Sequence, residues 1–380
     1  MQTIHKLLGA MACALALSAG VAAPVSEQPA SAAAAASASP PVFWPGADWA
    51  TATPEEADMD AGALDDLVAF GAANEMDSMV ITRHGRLVRE AYYGDFKAEH
   101  KHRLNSATKG IVAALVGIAI SQGHIRSPAA PVLGFFPNRT VAHRDARKEA
   151  ITVQHLLDMT SGLDWQEPLT GGRVHSLMEL RGSSDWVQFV LDRPMAQAPG
   201  AGFNYNSGNS HLLAAILTRQ TGQPLHAYAQ THLFGPLGLR DVSWEADPQG
   251  ISTGGFGVQM RTRDMARVAL LYLRGGEWNG RQLVPREWVA RVFAPTVSMG
   301  LGSARYADQW WSMPERGVFM AVGFHRQILL VMPRHGIAAA FTGRKHWAFA
   351  PWMDLLDRAA QTPSAVSTSV ASPTGTAAER

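Results

Sequence analysis

Residues 103–120 read Arg103-Leu-Asn-Ser106-Ala-Thr-Lys109-Gly-Ile-Val-Ala-Ala-Leu-Val-Gly-Ile-Ala-Ile120, a polar start followed by an apolar run. The run from Ile111 to Ile120 has no polar face, so we expect a helix that is buried on all sides. It is also too short to span a bilayer. The stretch therefore predicts a core helix that holds Ser106 and Lys109 rigidly at the rim of the core.

Ser106 and Lys109 are three residues apart, so on a helix they share one face and their side-chain tips can meet. A desolvated lysine loses its proton far more easily than an arginine and can activate a neighbouring hydroxyl. Lysine is also rare here, since only 6 of the 33 Lys and Arg residues are Lys. The pair predicts a nucleophile and its partner, although it also fits a polar helix start whose lysine reaches water.

The composition is that of a globular protein. The chain has 380 residues, 47% hydrophobic and 17% charged, with a formal net charge of +1, enough for two subdomains around a sizeable core. No cluster of Lys and Arg indicates a nucleic-acid groove, so no nucleic-acid partner is expected. His100 and His102 form a close pair without a nearby third ligand in sequence, which predicts an exposed polar segment and no metal site.

The first 23 residues are typical of a secretory signal peptide. Lys6 precedes an apolar core from Leu7 to Ala19, and small residues follow at 21–23. We expect cleavage, a secreted or periplasmic protein and no stable membrane insertion afterwards; a membrane anchor is the alternative reading. Cys13 is the only cysteine and lies in this segment, so the mature chain would contain no disulfide, and whether Cys13 carries a lipid stays open.

Both flanks of the folded body are compositionally biased. Residues 24–41 are nearly all Ala, Ser and Pro, and residues 361–380 are rich in Ser, Thr, Ala and Pro. Such segments bury too little apolar surface to become ordered. We predict a disordered linker at 24–41 and a disordered tail at 361–380.

Strand patterns lie near both ends of the folded body, and helix patterns dominate between them. Strands are expected at 78–82, 87–93, 317–322, 327–332 and 336–342, and helices at 59–73, 111–120, 153–162, 184–191, 211–221, 262–273, 285–292 and 352–360. This order predicts an α+β fold, in which an antiparallel sheet made from both chain ends is flanked by helices and carries an inserted, mainly helical domain. We place the sheet domain at 42–123 and 296–360 and the helical domain at 124–295.

Two loops carry the remaining groups that acyl transfer needs. A polar loop contains Tyr205-Asn-Ser207, and a tyrosine held near a lysine ammonium can act as a base. Gly323 precedes Phe324 between two strand-like runs, where a turn can aim the Phe324 N–H into a site. Taken alone, each loop also fits a structural reading, a helix-capping loop in the first case and a plain tight turn in the second.

Together the motifs resemble those of the class C β-lactamase and penicillin-binding-protein family of serine hydrolases. They follow in the order Ser106-Ala-Thr-Lys109, Tyr205-Asn-Ser207 and Gly323-Phe-His-Arg-Gln327. Segments 151–164 and 262–280 are similar to the family's segments at those places, and the likeness covers roughly residues 55–358. The resemblance implies a β-lactamase/DD-peptidase-like fold and a hydrolase that needs no cofactor.

The resemblance also implies roles for individual residues. Ser106 would be the nucleophile, and Lys109 and Tyr205 would move its proton, with Tyr205 a phenolate favoured by the Lys109 charge. The N–H groups of Ser106 and Phe324 would form the oxyanion hole. Substrate contacts would come from Ser207, Gly323 and His325.

Two departures from the family pattern determine which class of substrate we expect. Ser207 stands where the family usually has Asn, and no Lys-Thr-Gly occurs in the chain. Gly323-Phe-His-Arg-Gln327 is instead similar to the 6-aminohexanoate-dimer hydrolase and carboxylesterase branch. We therefore expect hydrolysis of small amides or esters through an acyl-enzyme on Ser106. The alternative is a penicillin-binding or DD-peptidase-like protein, or a sensor of peptidoglycan or β-lactams that stays acylated.

Overall fold

The computed structural model describes residues 43–169, 172–346 and 348–361. The predicted signal peptide, the linker at 24–41 and all of the predicted tail except Gln361 lie outside these residues. In the described part, no helix is both long enough and apolar enough to cross a membrane.

An eight-stranded sheet whose neighbouring strands are all antiparallel forms the centre of the fold. In spatial order its strands are β2 (Arg86–Tyr92), β1 (Met76–Arg83), β13 (Ile337–Gly343), β12 (Gln327–Met332), β11 (Val318–Gly323), β10 (Trp310–Met313), β9 (Arg305–Ala307) and β8 (Val297–Ser298). The pairing of β1 with β13 joins the two ends of the chain, with Val80 opposite Ala340. This arrangement confirms the predicted α+β fold.

Both faces of the sheet are buried, which explains why its central strands read as continuous apolar runs. Side chains alternate along β1, so Val80 joins one core while Met79 and Ile81 join the other. The helices α1 (Ala61–Ala73) and α11 (Phe349–Ala360) cover the second core. The helices α2 (Thr108–Ser121) and α9 (Thr262–Leu273) cover the first.

The predicted core helix is confirmed in α2. Every residue from Thr108 to Ala119 is buried, as expected for a helix that is apolar all round. It packs against α7 (Ser207–Thr221) on one side and β11 on the other. The first turn of α2 therefore lies where the helical part of the chain meets the sheet.

The segment between the two halves of the sheet is mainly helical. Besides α7 and α9 it contains α3 (Ala146–Glu149), α4 (Val153–Leu157), α5 (His175–Gly182), α6 (Trp186–Leu191), α8 (Leu225–Ala229) and α10 (Arg286–Val292). Its strands are short: β5 (Val258–Arg261) pairs with both β4 (Ser243–Trp244) and β3 (Lys101–Arg103), and β6 (Glu277–Trp278) pairs with β7 (Arg281–Gln282). The domain boundaries at 123/124 and 295/296 stay a prediction.

Some local expectations are wrong. The helix expected to run to Gly162 ends at Leu157, because Met159 adopts a φ of 58° and its carbonyl accepts a bond from Asn204 N. Strands β8, β9 and β10 are too short to give an alternating sequence pattern. His102 is not exposed: it is buried in β3 beside Asp77, with Nδ1 3.6 Å from a carboxylate oxygen.

Candidate active site

Ser106 lies in a single 3-10 turn, Asn105–Ala107, which runs directly into α2. The side chain lines a cavity of about 620 Å³ between the sheet and the helical segment. Asn105 has a φ of 48°, and its Nδ2 donates to the carbonyl of Phe324 over 3.0 Å. This bond ties the nucleophile turn to the loop after β11.

Lys109 is buried in the first turn of α2, with 1% of its surface exposed. Its Nζ lies 3.2 Å from Ser106 Oγ, 2.9 Å from Ser207 Oγ and 2.9 Å from the carbonyl of Gly255. The predicted meeting of Ser106 and Lys109 therefore occurs, and the alternative in which Lys109 reaches water does not.

Burial gives Lys109 an unusual acidity. Loss of hydration disfavours the ammonium and lowers the pKa of Lys109 to about 8, while the nearby Glu167 carboxylate opposes this shift. An amine with such a pKa is partly neutral at mildly alkaline pH and can accept a proton.

Tyr205 lies next to both Ser106 and Lys109. Its hydroxyl interacts with the Ser106 side chain, and Lys109 Nζ stands over its ring, 4.7 Å from the centroid. The ammonium thus lies over the aromatic ring. Burial, assisted by Glu167, raises the pKa of Tyr205 above its ordinary value. The structure therefore disfavours the phenolate expected from sequence, and Lys109 is the group that is ready to lose its proton.

Ser207 is brought to the same point at the start of α7. Asn206 caps this helix by accepting from Asn209 N at 3.1 Å, which leaves Ser207 free to face the cavity. Ser207 Oγ donates to Glu167 Oε1 over 2.6 Å, and Ser207 N donates to Glu167 Oε2 over 2.8 Å. Ser207 is therefore held between Glu167 and Lys109.

Sequence reasoning missed Glu167. It is 8% exposed, lines the cavity and also accepts from Trp165 Nε1 over 2.7 Å. A single glutamate in a loop, 40 positions from Ser207, has no spacing pattern that would reveal it. Its only sequence signal is its position just after segment 151–164.

Gly323 ends β11 against the nucleophile turn. A Cβ on Gly323 would lie 2.1 Å from the carbonyl oxygen of Leu104, so this close approach requires glycine. Phe324 follows and lines the cavity, with its side chain among the few large apolar ones that are exposed. Gly323 and Phe324 are thus located where the sequence predicted, beside Ser106.

His325 is not brought into the cavity. It takes a φ of 60° in the turn between β11 and β12, and its ring stacks on Phe324 with centroids 4.1 Å apart. Arg326 and His346 line the cavity instead. His325 therefore does not line the cavity, and its contact with a substrate stays a prediction.

The cavity has an apolar wall and a charged mouth. Besides Phe324, the apolar side chains of the wall include Leu169, Val174, Leu177, Phe256, Trp311 and Val322. At the mouth Arg181 lies 3.3 Å from Glu245 and stacks over Phe256, and Arg103 lies 4.0 Å from the same carboxylate. Within residues 43–169, 172–346 and 348–361, no group of three or more His, Cys, Asp or Glu side chains could hold a metal ion.

Comparison with known proteins finds a matching family model and several related chains. The Beta-lactamase family model matches residues 62–351. The 6-aminohexanoate-dimer hydrolase of Paenarthrobacter ureafaciens is 29% identical over 279 residues, which cover 68% of this chain and 70% of that one. Esterase EstB of Burkholderia gladioli is 28% identical over 249 residues, covering 60% of this chain and 61% of the esterase, less than two thirds of its length.

A solved structure gives the same result for the fold. EstCE1, described as a hydrolase with promiscuous acyltransferase activity, aligns with a TM-score of 0.65 over 79% of this chain and 97% of its own. The identity is 18%, so this likeness concerns the fold alone.

Proposed function

The chain belongs to the β-lactamase family and is a hydrolytic enzyme, and from this premise we propose that it cleaves small amides or esters through an acyl-enzyme on Ser106. The observation that carries the proposal is the buried Lys109 amine, 3.2 Å from Ser106 Oγ at the edge of the cavity. A buried lysine with a lowered pKa can act as the adjacent base that activates a hydroxyl nucleophile.

In the acylation step, neutral Lys109 accepts the hydroxyl proton of Ser106 as Ser106 Oγ attacks the carbonyl carbon. The tetrahedral intermediate then collapses and the bond to the leaving group breaks. Tyr205, whose hydroxyl interacts with Ser106, donates its phenolic proton to the leaving nitrogen or oxygen and recovers a proton from the Lys109 ammonium. Water then attacks the acyl carbon by the reverse sequence, releasing the acid and restoring Ser106.

The oxyanion of each intermediate would be bound by the N–H groups of Ser106 and Phe324. The bond from Asn105 to the Phe324 carbonyl and the close contact of Gly323 with Leu104 support this role, since they hold the two segments together. A donor of this kind is typically worth about 3 kcal/mol of activation free energy.

The substrates we propose are short amides of the 6-aminohexanoate type or small esters. The two curated relatives are named for a 6-aminohexanoate dimer and for an esterase. A cavity of about 620 Å³ with an apolar wall suits a short acyl chain, and its charged mouth suits a polar end group. We also propose a secreted or periplasmic location, on the strength of the apolar run from Leu7 to Ala19.

The proposal is tested by steady-state kinetics on a panel of p-nitrophenyl esters, a linear amide dimer and a β-lactam. We expect turnover of an ester or the amide, and its loss in Ser106→Ala. Full activity in Ser106→Ala would overturn the proposed nucleophile. A single stoichiometric release of p-nitrophenol without turnover would indicate the sensor that stays acylated.

A further inference from the structure

We propose that Glu167 is a positioning residue that acts through Ser207 to aim the lone pair of neutral Lys109 at Ser106. The inference rests on the proposed function, because it concerns how the same nucleophile is activated. The hydrogens and the lone pair of Lys109 Nζ, and the atoms that face them, lead to it.

Glu167 fixes the direction of the Ser207 hydroxyl. An ionised carboxylate only accepts hydrogen bonds, so the 2.6 Å contact between Glu167 Oε1 and Ser207 Oγ uses the single hydrogen of that hydroxyl. Ser207 Oγ can then only accept from its second neighbour, Lys109 Nζ, at 2.9 Å. Ser207 is therefore an obligatory acceptor for Lys109.

The carbonyl of Gly255 is the second obligatory acceptor of Lys109, at 2.9 Å. Its position is fixed by close packing, since a Cβ on Gly255 would lie 2.9 Å from the Cβ of Ser207. A neutral amine has two hydrogens and one lone pair. When Lys109 is neutral, Ser207 and Gly255 take both hydrogens, and the lone pair is left for the third neighbour, Ser106 Oγ.

Glu167 is itself held in place by several hydrogen bonds, so it can fix the directions of the hydrogen bonds at Ser207 and Lys109. Its Oε2 accepts from both Ser207 N and Trp165 Nε1, at 2.8 and 2.7 Å, while Oε1 accepts from the Ser207 hydroxyl. Asn204 Nδ2 in turn donates to the carbonyl of Trp165 over 3.1 Å. Both carboxylate oxygens are thus engaged with the protein, which fits a positioning residue and not a base for the attacking water.

Glu167 also acts on Lys109 electrostatically. Its charge favours the ammonium and so opposes the effect of burial on the Lys109 pKa. The other titratable groups near Lys109 are Tyr205 and, behind it, Tyr306; those farther along the cavity wall are Arg103, Arg181, Glu245, Arg326 and His346. Among the charged groups, only Glu167 acts on the Lys109 pKa through both its charge and a shared hydrogen-bond partner.

Glu167→Gln tests the proposal directly. The two N–H donors at Oε2 determine which atom of the glutamine amide faces them. Its carbonyl oxygen would face Ser207 N and Trp165 Nε1, and its amide group would donate to Ser207 Oγ. The Ser207 hydrogen would then be free to bond the lone pair of Lys109. The substitution therefore reverses the polarity of the Ser207–Lys109 contact with almost no change in shape.

The experiment measures kcat/KM against pH for the full chain on a p-nitrophenyl ester, with folding checked by thermal unfolding. For Glu167→Gln we expect the plateau to fall about 10- to 100-fold, the effect of one hydrogen bond to a charged group. Loss of the carboxylate charge also lowers the Lys109 pKa, so the acid limb should move down by about one pH unit. Glu179→Gln, which removes an exposed carboxylate on α5, is the matched control and should change neither quantity.

A lower plateau without a shifted limb would mean that Glu167 only supports the structure, and a shifted limb with an unchanged plateau would mean that it does not orient Lys109. Either result, or no change at all, would overturn the inference. Should Glu167→Gln fail to fold, Ser207→Ala removes the acceptor for Lys109, together with the hydrogen bond that this hydroxyl donates to Glu167, and should lower kcat by a similar factor with KM unchanged. An unchanged kcat there would overturn the inference equally. Hydrolysis that survives Ser106→Ala would instead refute the proposed function.

Discussion

At the scale of single residues, the chemistry depends on one buried amine. Lys109 has lost its hydration and contacts two hydroxyls and a carbonyl, so it is held in place whether or not it is charged. Tyr205 contacts the same nucleophile but is held neutral by burial. Because the pKa of Lys109 is lowered and that of Tyr205 is raised, we assign the role of base to Lys109 and that of proton donor to Tyr205.

Replacing Lys109 by arginine keeps the positive charge and removes the base, since a guanidinium does not lose its proton in a protein. We expect kcat/KM for an ester to fall about 10²- to 10⁴-fold in Lys109→Arg, the usual contribution of a general base. Lys148→Arg is the matched control, because Lys148 is a buried lysine bonded to the carbonyls of Ala142 and Leu191. Normal hydrolysis by Lys109→Arg would make Lys109 a structural cation.

The pH dependence should report the same amine. Lys109 must be neutral to act, and its pKa is lowered to about 8, so kcat/KM should decline as the pH falls below about 8. Tyr205→Phe should lower the plateau and leave this limb in place, because burial keeps the Tyr205 pKa above its ordinary value. A limb near pH 4 to 5, roughly where an ordinary carboxyl titrates, would point to a carboxylate base instead.

At the scale of elements, the site depends on how closely β11 approaches the start of α2. The 3-10 turn at Asn105–Ala107 and the loop after β11 are joined by the Asn105 amide and meet where Gly323 has no side chain. Two elements more than 200 positions apart in sequence therefore fix the proposed oxyanion hole.

Gly323→Ala tests this contact. The added Cβ would lie 2.1 Å from the Leu104 carbonyl oxygen, so the strand must move away from the nucleophile turn. We expect a loss of about 1–3 kcal/mol in the free energy of unfolding by urea and, from the displaced donor, a fall in kcat of about 100-fold. Gly182→Ala, at a glycine with open space around it, should change neither. A wild-type kcat in a stable Gly323→Ala variant would show that the Phe324 N–H does not belong to the oxyanion hole.

The sequence predicts some of these elements and site residues and not others. The sequence predicts helix α2 and strands β1, β11, β12 and β13, because each has a periodicity or an apolar run within a short stretch of neighbouring residues. Ser106 and Lys109 were predictable for the same reason, being one helical turn apart. Glu167 and Gly255 were not, since they reach Lys109 only through tertiary packing. His325 does not line the cavity, and the φ of 60° that it adopts in its turn has no pattern in the sequence.

At the scale of the whole molecule, the sheet carries a different pair of helices on each of its two faces. One face carries α1 and α11, and the other carries α2 and α9 with the cavity nearby. Trp352 of α11 is fully buried against Phe341, with ring centroids 4.7 Å apart, on the face away from Ser106.

Trp352→Ala should therefore lower the free energy of unfolding by about 3–5 kcal/mol, the cost of removing a large buried aromatic side chain. The kcat of the molecules that remain folded should stay at the wild-type value, because Trp352 does not line the cavity. The contact of α11 with the cavity wall is made by another residue, Phe349, whose ring lies 3.7 Å from the Arg326 guanidinium. Urea unfolding and active-site titration of the same preparation measure both quantities. A stable Trp352→Ala protein with a much lower kcat per folded molecule would show that the two faces are coupled.

The most direct measurement of the central claim is covalent labelling of the full chain with a fluorophosphonate, followed by intact-mass analysis and peptide mapping. We predict one phosphonyl group per chain, located on Ser106, with labelling lost in Ser106→Ala and strongly slowed in Lys109→Arg. An adduct on another residue, or complete ester hydrolysis by a protein that takes up no label, would contradict the acyl-enzyme on Ser106.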